Sequence, residues 1–147
     1  MSEANIRAGI KSILTAIPGI GKVHDYERYP EKNDWSAFLA LFKNTNNGQD
    51  HILGWTITRR SSGEKHNDPI PHVYLIRGIM GMKDSAETDK SFTALIENVR
   101  AAFRNNKTIS NAALGHDYIQ VSFQELRFFG SVLCHYCELT IVVYEGL

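Results

Sequence analysis

Two cysteines and a histidine lie close together near the end of the sequence, as Cys134, His135 and Cys137. Thiolate and imidazole groups bind zinc, and a thiolate beside a histidine can act as a nucleophile, so the pattern could perform either chemistry. From Leu133 onward, however, the residues alternate in a β-prone run, and neighbouring side chains of a strand point to opposite faces. The segment therefore predicts a strand with His135 and Cys137 on one face and Cys134 on the other.

Strand geometry weakens both chemical interpretations. A structural zinc site needs four convergent ligands, commonly two Cys-x2-Cys units in tight turns, and the sequence has one such unit. The other histidines have no ligand spacing: His24, His51, His66, His72 and His116. Buried cysteine usually behaves as a small hydrophobic residue. We therefore predict no enzyme activity and no catalytic, cofactor-binding or metal-binding residues; a metal- or thiol-dependent enzyme using Cys134, His135 and Cys137 remains the alternative.

Other candidate sites have simpler structural explanations. The glycines in residues 18–21 and 78–81 lack the strand-to-helix context and the lysine of a phosphate-binding loop. Trp55, Tyr74 and the glycines near Gly78 could form a small ligand-binding site, although aromatic residues on strands more often belong to the core. These residues are expected to pack in the core rather than to bind a ligand.

Length, charge and cysteine content restrict the class of protein. A chain of 147 residues fits one domain, residues 1–147, with 16 basic and 16 acidic residues. Zero formal charge gives no basis for nucleic-acid binding or for docking on anionic lipid. Cysteines on opposite faces of a strand cannot form a disulfide bond, which is typical of a reduced, cytosolic protein. No apolar run reaches membrane-spanning length, so we predict a soluble protein.

Apolar residues at helical spacing predict two main helices. Residues 2–17 form the first, with Ser2 as its N-cap. Residues 84–87 have the form of a capping box that opens the second, whose apolar face then extends to Phe103. Residues 35–43 are too short for periodicity to separate a helix from a strand, and we favour a helix capped by Asp34.

Alternating residues predict the strands of one sheet. Residues 22–29 form a polar edge strand, and residues 44–50 a turn. Strands follow at 52–60, 72–80, 118–128 and from 133 onward, with a bulge near 124–125. Residues 61–71 are expected to be a mobile loop. The order predicts an α+β fold, an antiparallel sheet with two main helices packed on one face.

Three segments resemble a group of tailed-bacteriophage and prophage proteins, the tail-terminator or tail-completion family, to which the lambda minor tail protein U belongs. They are residues 17–28 (IPGIGKVHDYER), 54–60 (GWTITRR) and 129–139 (FGSVLCHYCEL). The likeness is to family pattern and element order across most of the chain, and no single motif is diagnostic. The resemblance implies an antiparallel sheet with helices on one side.

The resemblance also implies a structural role without cofactor or catalysis. Such a subunit forms a ring, usually a hexamer, on the end of the tail tube, where it stops polymerisation and prepares head joining. It acts in the bacterial host cytoplasm during assembly and then in the virion tail, with itself, the tail tube protein and a head-completion or connector protein as partners. Ring contacts are expected from sheet edges and the loops at 44–50 and 61–71. A head-completion or connector protein is the alternative function.

Overall fold

The structure is a computed structural model, and it describes residues 1–28, 30–32, 34–46, 48–64 and 66–146, without the side chains of Trp35 and Asn46. This part of the chain contains three α-helices and seven strands. They are α1 (Glu3–Thr15), β1 (Lys22–His24), α2 (Trp35–Phe42), β2 (Lys43–Asn46), β3 (Gln49–Ser62), β4 (Ile70–Gly81), α3 (Thr88–Arg104), β5 (Gly115–His116), β6 (Gln120–Phe129) and β7 (Val132–Glu145).

The seven strands form one sheet around three long central strands. β3 pairs with β4 and β4 with β7, both in antiparallel fashion. The short β1 and β2 lie along the outer edge of β3, and β5 and β6 along the outer edge of β7. Every pair is antiparallel except β1 with β3, so the sheet is mixed at this edge. The α+β fold with an antiparallel central sheet is confirmed.

The main core lies between one face of the sheet, here called the inner face, and the two longer helices. Helices α1 and α3 bury their apolar residues against alternate residues of β3, β4 and β7. Trp55 is fully buried at the centre of this layer, where its indole nitrogen donates to the Ile20 carbonyl at 2.8 Å. Two helices on one face, as the sequence predicts, therefore cover the larger part of the core.

A smaller apolar cluster lies on the opposite, outer face, where α2 packs. Phe38 and Phe42 of α2 contact the sheet above Ile52, Ile79 and residues of β7. Gly54 makes this approach possible, because a Cβ atom there would lie 2.3 Å from the Phe42 ring. The outer face is thus partly covered by one short helix and partly open.

The predicted helices agree with the structure except at one start. Ser2 caps α1 by accepting from Asn5 N–H, and Asp34 caps α2 by accepting from Ala37 N–H, as expected. The prediction that residues 84–87 form a capping box is wrong. Asp84–Ala86 form a separate 3-10 turn, Glu87 has a positive φ of 52°, and α3 begins at Thr88. The Thr88 hydroxyl bonds to the Lys83 backbone, which stabilises this sharper entry.

Several strand boundaries differ from the sequence prediction. β1 ends at His24 rather than residue 29, and the predicted turn at 44–50 contains β2, which forms a hairpin with β3. The bulge lies between Val121 and Phe123, where the pairing register with β7 shifts, instead of at residues 124–125. The 61–71 loop is shorter than predicted, since β3 extends to Ser62 and β4 begins at Ile70; Lys65 lies outside the described residues.

None of the helices in the described part of the chain combines the length and apolarity needed to cross a bilayer.

Candidate functional site

The Cys134–Cys137 segment lies inside β7, and its side chains separate as the alternation predicts. Cys137 belongs to the inner-face core and Cys134 to the outer-face cluster. Both thiols are fully buried and free. The sheet therefore stands between the two sulfur atoms and prevents them from acting on one ligand or forming a disulfide bond.

His135 shares the inner face with Cys137 but has a structural environment. Its Nε2 lies 2.7 Å from the Thr88 hydroxyl at the start of α3, and its ring stacks on Phe92 with centroids 5.9 Å apart. Burial lowers the pKa of His135, and the nearby Asp89 opposes this effect. The histidine thus joins β7 to α3 rather than activating a thiol.

Burial also keeps both thiols in the neutral form. It raises the pKa of Cys134 to about 11 and that of Cys137 to about 12, although a hydrogen bond from the Gly78 backbone opposes the increase at Cys137. A reactive cysteine needs the opposite shift and access to solvent. Among the residues that the structure describes, no three histidine, cysteine or carboxylate side chains are grouped to hold a metal ion.

The residues of the possible ligand site lie in the core. Trp55 and Tyr74 are fully buried on the inner face, and the Trp55 ring lies directly over Gly78. Trp55 also stacks on Phe92, with ring centroids 5.9 Å apart. Trp55, Tyr74 and Gly78 therefore pack within the core, as expected from the sequence, rather than lining a ligand-binding site.

A groove of about 300 Å³ opens on the outer face beside α2, and the sequence did not indicate it. Its apolar wall consists of Phe38, Phe42, Ile79, Phe129 and Tyr136. Arg77 pairs at the rim with Glu27, and its Nε lies 3.8 Å from Glu138. The groove therefore has an apolar wall beneath a rim in which Arg77 is paired with carboxylates.

Arg127 closes one end of this groove from β6. Its guanidinium lies 4.2 Å from the Tyr136 ring centroid and 5.3 Å from that of Phe123, which is the geometry of a cation–π contact. The same guanidinium pairs with Glu125 at 2.7 Å. Burial and the Glu138 hydrogen bond raise the pKa of Tyr136 to about 12. The end of the groove is therefore polar but internally neutralised.

On the inner face, a chain of hydrogen-bonded side chains, here called the relay, connects β3, β4 and β7 near the end of β3, the start of β4 and the end of β7. Nδ1 of His72 lies 3.0 Å from Ser62 Oγ, and its Nε2 lies 3.0 Å from Glu145 Oε2. His72 is buried, Glu145 is largely buried, and Ser62 is exposed. A carboxylate only accepts hydrogen bonds, so Nε2 carries the proton, and in the neutral ring Nδ1 accepts from the serine hydroxyl. No sequence motif indicates this relay, because cross-strand register brings the residues together.

The outermost strand β6 exposes apolar side chains on both faces. Phe123 is 41% exposed, Leu126 is 49% exposed and Phe128 is 67% exposed. β6 pairs with β7 along one edge, and no described strand pairs with its other edge. A long, unprotected and partly apolar strand edge is typical of a surface that pairs with another chain. In the sequence, apolar residues at both odd and even positions of the predicted strand could have indicated this exposure.

Comparison with protein-family models finds no match for this chain, and comparison with curated proteins finds no relative. Three candidate features therefore rest on the geometry of the chain itself: the outer groove, the Ser62–His72–Glu145 relay and the open edge of β6.

Proposed function

We propose that the chain is an assembly subunit of a bacteriophage or prophage tail, which caps the tail tube as a ring, ends polymerisation and prepares head joining. The resemblance of residues 17–28, 54–60 and 129–139 to tail-terminator proteins suggests this role. The α+β architecture, with helices α1 and α3 on one face of an antiparallel central sheet, is compatible with it.

One observation carries the proposal: the sheet presents two different open edges. β6 forms the edge on one side. On the other side, residues 57–62 of β3 also lack a strand partner, since β1 and β2 pair only with earlier residues of β3 and no other described strand pairs there. A ring of identical subunits needs heterologous contacts, in which unlike surfaces meet head to tail. Two unlike strand edges at opposite sides of one sheet meet that requirement.

The role predicts a specific assembly defect. Particles produced without this protein are expected to carry abnormally long tails, because nothing stops addition of tube subunits. Electron microscopy of lysates would measure the tail lengths, with particles complemented by the intact chain as the control. Tails of normal length beside unjoined heads would contradict termination and favour the alternative role as a head-completion or connector protein.

The relay supports a second candidate function, in which Ser62 acts as a nucleophile on an ester. Serine, histidine and a carboxylate joined in this order polarise the serine hydroxyl. Ser62 Oγ would attack the ester carbonyl carbon while its proton moves to His72 Nδ1, and Glu145 would stabilise the resulting imidazolium. The proton then passes to the leaving alcohol, and water hydrolyses the acyl-serine.

A serine-directed fluorophosphonate probe tests this second function. We expect the native chain to be labelled at Ser62 and the Ser62→Ala variant to lose labelling. Ser61→Ala is the matched control, because Ser61 pairs with Val73 on the opposite face and has no place in the relay. Mass spectrometry of the labelled peptide locates the probe. An unlabelled native chain, or equal labelling of both variants, would exclude a nucleophilic Ser62.

A further inference from the structure

Strand β6 has little protection against pairing with another strand, because its two charged residues, Glu125 and Arg127, have opposite signs. Ten residues long, with the sequence QVSFQELRFF, it contains no proline and no lysine. Its bulge lies near one end, between Val121 and Phe123, and leaves the remaining residues regular. Exposed apolar side chains also occur on both faces. Natural proteins blunt such edges unless they use them.

The backbone pattern determines which residues of β6 can accept a new strand. The carbonyl of Leu133 in β7 accepts from Met82 N–H at 3.2 Å, so Leu133 directs its backbone groups towards the β4 side. Backbone groups of successive strand residues point to alternate sides, and the even-numbered residues at this end of β7 therefore bond to β6. Their β6 partners are Glu125, Arg127 and Phe129. The alternate residues of β6 direct their N–H and C=O groups to the open edge, and they are Gln124, Leu126 and Phe128.

An identical strand fits this pattern when it runs antiparallel about a twofold axis at Leu126. Leu126 then pairs with Leu126 of the second copy, and Gln124 pairs with Phe128 in both directions. All of these residues have outward backbone groups, so the three pairs form six hydrogen bonds. Glu125 lies opposite Arg127 twice, at non-hydrogen-bonded positions where facing side chains are closest.

Charge distinguishes this register from its neighbours. A twofold axis at Glu125 places Glu125 against its own copy, and an axis at Arg127 places two guanidiniums together. With an axis at Gln124 or Phe128, neither Glu125 nor Arg127 lies opposite a residue of the other charge. An axis between residues would set outward backbone groups against inward ones. Like charges directly opposite each other destabilise a sheet, whereas opposite charges stabilise it.

We propose that two copies of this chain associate through β6, in the register centred on Leu126, and join their sheets into one. Glu125 and Arg127 are partly exposed and pair within one chain at 2.7 Å, with the Arg127 guanidinium over the Tyr136 ring of β7, so the dimer would exchange this pairing for one between the two copies. The contact is isologous, whereas a ring that meets a tube and a head on different sides is heterologous. The dimer is therefore a state of the protein outside any ring. It depends on the geometry of β6 and not on the proposed tail function.

Charge reversal tests the register by sedimentation equilibrium of the purified chain. Glu125→Arg places two arginines opposite each other, and Arg127→Glu places two glutamates, so each variant is expected to raise the dimer dissociation constant about tenfold or more. The double variant Glu125→Arg/Arg127→Glu restores opposite charges and should restore the dimer. An equimolar mixture of the two single variants should form heterodimers. Circular dichroism would check that each variant is folded.

A second variant tests the backbone pairing without changing charge. Leu126→Pro removes an N–H that points away from β7, so the monomer should stay folded while the dimer is lost. Leu126→Thr keeps the N–H and is the matched control, which should still dimerise. A native chain that remains monomeric at high concentration would overturn the proposal. It would also be overturned by a dimer that survives Leu126→Pro, or by a double variant that does not recover.

Discussion

Replacing Trp55 with alanine is expected to lower the free energy of unfolding by about 3–5 kcal/mol. The side chain is fully buried at the centre of the inner face. It donates a hydrogen bond to the Ile20 carbonyl at 2.8 Å and stacks on Phe92. Its removal leaves a large cavity and an unpaired buried carbonyl. Urea unfolding followed by circular dichroism measures the loss, which is a large share of the stability of a domain this size.

Two further variants separate the contributions of Trp55. Trp55→Phe keeps an aromatic ring in the layer but removes the indole N–H, so its cost should be smaller than that of alanine. Tyr118→Ala is the surface control, because Tyr118 is 74% exposed, and its effect should stay within about 0.5 kcal/mol. A loss at Trp55→Ala no larger than at Tyr118→Ala would contradict the central position of Trp55 in the core.

Replacing Gly78 with alanine is expected to lower the free energy of unfolding by about 1–3 kcal/mol, because the added methyl group overpacks the core. A Cβ atom at Gly78 would lie 2.4 to 2.8 Å from three atoms of the Trp55 ring. Trp55 is held by its hydrogen bond to the Ile20 carbonyl and by its stacking on Phe92, so a movement of the ring away from Gly78 would disturb these contacts. Thermal or urea unfolding measures the change.

A double-mutant cycle attributes that cost to the ring. In a Trp55→Phe background the smaller ring leaves room, so Gly78→Ala should cost less there than in the native chain. Gly63→Ala is the matched glycine control, since a Cβ at Gly63 meets only the Pro71 side chain at 3.5 Å, an ordinary contact. An equal cost of Gly78→Ala in both backgrounds would mean that strain elsewhere, not the Trp55 ring, limits this position.

The cysteine segment shows how far local periodicity can be taken. Strand alternation has a period of two, and no tertiary contact can move Cys134 to the face of Cys137 without breaking the strand. The sequence therefore predicted the separation of the thiols correctly. It did not predict that Cys134 shares a buried cluster with Phe38 and Phe42 of α2, because that cluster depends on how closely Phe42 approaches Gly54.

Errors occurred where local signals compete with long-range contacts. Asp84 and Glu87 have the types and spacing of a capping box, yet the bonds from Thr88 to the Lys83 backbone and to His135 fix a later helix start. β1 has the alternation of an antiparallel edge strand, but it pairs in parallel with β3 after the chain crosses through α2. Neither the Thr88 hydrogen bonds nor the parallel pairing of β1 can be predicted from the neighbouring residues in the sequence.

The sequence by itself determined the α+β class, the helical faces of α1 and α3, and the opposite directions of the two cysteines. These follow from spacing along the chain, which the backbone geometry of helices and strands converts directly into faces. Only the tertiary structure decided the Ser62–His72–Glu145 relay, the outer groove and the open backbone edge of β6. Each depends on register between strands that are distant in sequence, and register is set by packing across the whole sheet.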